Sequence, residues 1–132
     1  MEVPTDFILA GYIKQNADEK YACNINLLTR GISVIDMSNA GASWGGEKTT
    51  LTKLLNGITV LEGGKQVNVE VENVLYDFFT VQDAIDFAKF AIETTINTMR
   101  FTKCIKTVGG PIDILLITPK ETKWIAKKEL TA

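Results

Sequence analysis

The sequence predicts an α+β fold, with antiparallel sheets packed with helices. Three observations carry this. The short apolar runs Phe7–Ile13, Tyr21–Leu28 and Ile32–Met37 follow one another with only polar or glycine-bearing turns between them, as antiparallel strands do. A long stretch from Thr80 repeats apolar residues at helical spacing. Strands and helices do not alternate as the regular strand–helix–strand units of a parallel sheet.

Each element has its own reason. Phe7–Ile13 is short and apolar and reads as a buried strand. Asn16–Lys20 is polar and reads as a turn into the second strand. Arg30-Gly31 turns the chain into a third strand, which alternates Ile32 and Val34 against Ser33 and Ile35. Ser38–Gly46 is a glycine- and serine-rich connector with room for a short fourth strand near Ala40–Ala42. Glu47–Asn56 reads as a helix, with Leu51, Leu54 and Leu55 on one side and Gly57 as its stop. Between residues 58 and 77, Gly63-Gly64 separates two alternating runs. This segment is either a hairpin or an irregular linker.

The stretch Thr80–Ile117 organises the chain. Thr80 can cap a helix and Asp83 follows at capping-box spacing. Ala84, Ile85, Ala88, Ala91, Ile92, Ile96 and Met99 form one apolar stripe. Phe87 and Phe90 fall off it, which implies covered surface on a second side. Ile112–Ile117, bounded by Pro111 and Pro119, reads as a buried strand. The turn before it, Gly109-Gly110, requires at least one glycine at positive φ. A turn at Pro119–Glu121 leads into a last strand, Thr122–Ala126, and a solvated tail.

Composition narrows the function. The chain has 132 residues, which suits one domain (residues 1–132), and a net charge of −2. That balance favours neither nucleic acid nor an anionic membrane as partner. No apolar run approaches the ~20 residues of a membrane-spanning helix. Cys23 and Cys104 read as free, packed thiols of a reducing compartment, so the expected location is cytoplasmic. The chain has no histidine, which excludes Ser-His-Asp and Cys-His machinery and most zinc sites.

In order along the chain, four segments resemble proteasome-type N-terminal-nucleophile hydrolases. Phe7-Ile-Leu-Ala-Gly-Tyr12 is similar to the strand opening the second half of those subunits. Trp44-Gly45-Gly46 followed by Leu54-Leu55 resembles their glycine-rich turn into a helix. Phe79–Asp86 resembles the entry to the next helix, and Thr107–Ile117 resembles the glycine-glycine turn into the penultimate strand. The resemblance implies two antiparallel sheets between two helix layers, with this chain an incomplete domain that supplies the second half.

The family's nucleophile is an N-terminal threonine whose free amine is the base, helped by an aspartate and a lysine of the first half. Met1-Glu2 offers no nucleophile, and Thr5 becomes N-terminal only after a cut behind Pro4. The family's Asp-x-x-Ser-Gly-Gly aligns with Ile105 and Val108 at the aspartate and serine positions. Its earlier Gly-Ser-Gly meets Trp44-Gly45-Gly46, where Ser43 serves only with a shifted loop. No residue is therefore assigned a catalytic, cofactor-binding or metal-ligating role, and no cofactor is expected.

Two readings follow: a threonine-peptidase relative whose active half is absent, or a structural and assembly protein without hydrolase activity. The expected partner is a second copy or the missing N-terminal half. A nucleotide-binding module is a third reading, because Gly41-Ala-Ser-Trp-Gly-Gly-Glu-Lys-Thr49 resembles a phosphate loop. There Glu47 displaces Lys48 and repels phosphate. Asp113, flanked by Ile112 and Ile114, is expected to face solvent or an interface.

Overall fold

The structure is a computed structural model and describes residues 5–131. It is mixed α/β, with antiparallel sheets and two helices. The chain divides into two compact units, Met1–Gly46 with Asp113–Ala132, and Glu47–Ile112.

In the first unit, β1 (Asp6–Ile13), β2 (Asn16–Asn26) and β3 (Gly31–Val34) form a three-stranded antiparallel sheet in sequence order. The second strand starts at Asn16, so the expected polar turn shortens to Lys14-Gln15. The polar residues after it join the strand as a bulge, where the register breaks between Tyr12 and Ile13. The ladder extends beyond β1 and β3: the Leu27 N–H donates to the Thr5 carbonyl and the Ile35 N–H to the Ala22 carbonyl. Arg30 turns the chain with φ 54°. No strand forms near Ala40–Ala42.

The first unit also holds the hairpin of β6 (Ile114–Ile117) and β7 (Thr122–Ala126). Thr118 shapes its turn. The Thr118 N–H donates to the Glu121 carbonyl, and the Glu121 N–H returns to Thr118 Oγ1. Asp113 stands before β6, exposed, and accepts the Lys128 N–H at 2.6 Å, which ties the open end of the hairpin. Ile114, Leu116 and Ile117 are half-buried and Leu115 is exposed, so this strand is less covered than its apolar run implied.

In the second unit, α1 (Thr49–Asn56) starts two residues later than expected, with Lys48 at the N-cap position and no side-chain cap hydrogen bond. A helix this short is marginal alone. It holds because it packs on α2 (Val81–Phe101), with Leu51 and Met99 buried. Gly57, at φ 78°, ends α1 and sends the chain into β4 (Ile58–Glu62). A Cβ there would lie 2.6 Å from the Val69 carbonyl oxygen. β4 pairs with β5 (Lys65–Val69) in the hairpin reading of this segment. Gly63 and Gly64 both have positive φ, as a two-residue mirror-type turn requires.

The start of α2 is built as the sequence implied. Asp83 N–H donates to Thr80 Oγ1 at 3.1 Å, and Asp83 Oδ2 accepts the Thr80 N–H at 2.8 Å and its hydroxyl at 2.7 Å. The second covered side is present at Phe87, which is half-buried, while Phe90 is 47% exposed. Tyr76 and Phe79, on and after a 3-10 turn (Tyr76–Phe78), each meet Phe87 with ring centroids 5.5 Å apart. Burial on the main stripe is narrower than the apolar pattern. Ile85, Ala91, Ile96 and Met99 are covered, while Ala84, Ala88 and Ile92 are exposed. Thr95 is buried instead, its hydroxyl satisfied by the Ala91 carbonyl. Gly110 carries the positive φ expected in the Gly109-Gly110 turn.

Two outcomes are expected. Thr80→Ala should cost about 1 kcal/mol of stability, the usual worth of such a cap. Hydrogen bonds from the Thr80 hydroxyl, then from its N–H, hold the Asp83 carboxyl below its usual range. That contribution is complete above the unfolded value of about pH 4 and is lost as pH falls through the lower folded value. The melting-temperature difference between wild type and Thr80→Ala should therefore narrow at acid pH, with the Asp83 N–H to Thr80 Oγ1 bond keeping a residual gap. Gly57→Ala meets both a disfavoured φ and the Val69 carbonyl. Its denaturant midpoint should show a loss exceeding about 1 kcal/mol, the least that a side chain in this glycine-only region of positive φ and extended ψ costs.

Candidate functional site

Two features of the described residues offer themselves as sites. The first is a groove of about 840 Å³ within the second unit. Thr49, Thr50 and Leu54 of α1 form one wall, and Thr94, Thr98 and Met99 of α2 form the other. Spacing explains the hydroxyl content, since Thr94 and Thr98 lie four residues apart on one face of α2, and Thr102, its C-cap, follows four residues on. The charged lining is Glu47 and Lys53.

Cys104 also lines the groove and is exposed, contrary to its expected packing role. The helix ends at Phe101, so Cys104 lies beyond the stripe that would have buried it. Its thiol contacts the Met99 carbonyl at 3.6 Å and Thr102 Oγ1 at 3.2 Å. The Thr102 hydroxyl contacts the Thr98 carbonyl at 2.9 Å. These contacts occupy the hydroxyl and thiol with local partners. With no histidine in the chain, no imidazole can activate them. The groove can seat a small molecule through apolar contact and hydroxyls, without a nucleophile–base pair of the usual kind.

The second feature is one face of the β1–β2–β3 sheet. Residues directly opposite in an antiparallel pair share a face. The register therefore aligns Phe7, Ile25 and Ile32 in one row, Leu9, Cys23 and Val34 in the next, and Gly11 beside Tyr21 in a third. All of these are uncharged and predominantly apolar. Cys23, in the middle, is 3% exposed, while Phe7, Leu9, Ile32 and Val34 are 52%, 58%, 69% and 66% exposed. The Cys23 thiol, through hydrogen bonding first and charge second, pushes the Tyr21 phenol above its usual range. The opposite face mixes Ile8, Ala10 and Ala22 with Lys20, Asn24 and Ser33, and a Cβ at Gly45 would lie 3.8 Å from Ile8. The expectation of a buried first strand is thus corrected. Its apolar residues on this face, Phe7 and Leu9, are more than half exposed.

The remaining sequence candidates are not assembled into a site. Met1 and Glu2 lie outside the described residues. The Thr5 carbonyl is bonded into the sheet. Ile105 is 84% exposed and Val108 half-buried. No strand lies between Val34 and α1, and every described strand pair is antiparallel, so the strand that feeds a phosphate loop is lacking before Gly41–Thr49. Lys48 stands at the α1 N-cap with no side-chain bond to the helix. Among the described residues no group of three His, Cys, Asp or Glu side chains can hold a metal. No described helix is long and apolar enough to cross a membrane. The Asp36 carboxyl is held below its usual range by the Ser38 hydroxyl and then its N–H, a local turn.

No protein-family model, curated protein or solved structure matches the chain. A check on the two thiols is direct. A colorimetric thiol reagent should titrate Cys104 rapidly in the native protein, and Cys23 only on unfolding. Cys104→Ser should abolish the fast phase.

Proposed function

We propose that this chain works by association: a non-catalytic, cytoplasmic, subunit-like protein related to the proteasome-type N-terminal-nucleophile hydrolases. The carrying observation is the contrast between its apolar surface and its chemistry. A predominantly apolar sheet face holds large side chains in solvent. Contiguous apolar surface beyond a few hundred Å² is rare on monomers and marks interaction sites. The groove, in contrast, has its Thr102 hydroxyl and Cys104 thiol turned to local carbonyls and no imidazole beside the thiol.

The relation to the family rests on four ordered sequence segments, and antiparallel sheets with two helices are compatible with it. Ile105 and Val108, at the positions of the family's aspartate and serine, weigh against peptidase activity. Two free cysteines, Cys23 and Cys104, suit a reducing compartment.

The test is an assay of the purified chain with fluorogenic peptides and a threonine-directed covalent probe. No turnover and no labelling are expected. Turnover that disappears in Thr5→Ala would establish a peptidase and overturn the non-catalytic reading.

A further inference from the structure

We propose that the groove between α1 and α2 binds a single-chain amphipathic anion, an aliphatic carboxylate, with its head group on Lys53 and its chain over Leu54, Met99 and Ile105. This goes beyond the association reading above and does not rest on it.

Charge sets the sign of the ligand. Residues 47–57 and 94–112 hold every residue that lines the groove. They carry five cations, Lys48, Lys53, Arg100, Lys103 and Lys106, against one acid, Glu47. Their net charge is +4, so the remaining residues carry −6 to give the chain its −2. The acids that flank these segments are engaged elsewhere: Glu93 pairs with Lys89 at 3.7 Å, and Asp113 accepts the Lys128 N–H. A cleft among charges of one sign concentrates ions of the other.

Within the lining, the charged residues are Glu47 and Lys53. They mark opposite ends of the α1 wall, since Glu47 precedes the helix and Lys53 stands about one turn inside it. Lys53 makes no ion pair among the described residues, which leaves its ammonium for a carboxylate at that end.

The rest of the lining sets the body of the ligand. The volume of about 840 Å³ falls in the range of small-molecule sites. The apolar lining is Leu54, Met99 and Ile105, and no aromatic ring joins them among the described residues. Nothing there stacks on a flat ligand, whereas an aliphatic chain packs on all three. Leu54 and Ile105 are 42% and 84% exposed, so both have surface to lose beneath such a chain. Thr94 and Thr98 add methyl groups to the opposite wall, and their hydroxyls have no partner among the described residues.

The experiment is titration calorimetry at neutral pH with dodecanoate below its micelle concentration, on wild type, Lys53→Gln and Thr98→Trp. Both positions are exposed, and the bond from the Thr102 hydroxyl reaches the main chain of Thr98, so both variants should keep the wild-type circular dichroism. Wild type should bind one dodecanoate per chain. Dodecylammonium, the same chain with the opposite charge, should bind at least about tenfold more weakly. Lys53→Gln should weaken dodecanoate about tenfold, the worth of one charge-assisted hydrogen bond. Thr98→Trp fills the groove and should abolish binding. No dodecanoate bound by wild type, dodecylammonium bound equally well, or binding unchanged in either variant would overturn the proposal. Flotation of the Thr98→Trp protein with phosphatidylglycerol vesicles would assign the cations to a membrane surface and overturn the groove as their site.

Discussion

The cluster at the start of α2 fixes the second unit. Thr80 and Asp83 close the helix end on each other, and Tyr76 and Phe79 lock onto Phe87. Together they set where the helix begins and its rotation. Every later position inherits that rotation. Met99 is buried beside α1, Thr95 turns its hydroxyl back to Ala91, and Thr94 and Thr98 line the groove. A helix begun one residue earlier would turn about 100° and present different side chains to α1. The uncapped α1 depends on that surface, since its own ends supply no side-chain cap.

The two units resolve their apolar content differently. The second pairs helix with helix and closes a small core around Leu51 and Met99. In the first, Cys23 and Ala22 of the middle strand are buried, while Leu9 and Val34 on its neighbours stay in solvent.

Local signals were the legible ones. The capping box needs only Thr80 and Asp83, three residues apart. The β4–β5 turn needs Gly63-Gly64, and the β6–β7 turn was marked by Pro119 and bonded by Thr118. Boundaries failed where pairing overrode composition. Asn16 is polar yet joins β2, because Lys14-Gln15 already makes the reversal and Ile13 supplies a partner. Burial was the least legible property. Phe7 and Leu9 look like core in a linear reading, but burial is a property of two layers, and sequence alternation reports only one. The groove was hidden for a related reason. Threonines at four-residue spacing look like an ordinary polar surface until a second helix stands opposite them.

The chain order of the units has a consequence for biosynthesis. The first unit is discontinuous, because Glu47–Ile112 is threaded between Met1–Gly46 and Asp113–Ala132. At a synthesis rate of roughly 5–20 residues per second, the opening sheet emerges several seconds before the β6–β7 hairpin of its own unit. The inserted unit is contiguous and can condense as it leaves the ribosome. Throughout that interval the newborn sheet carries its predominantly apolar face without the rest of its unit, and chaperones that bind apolar surface would find it there.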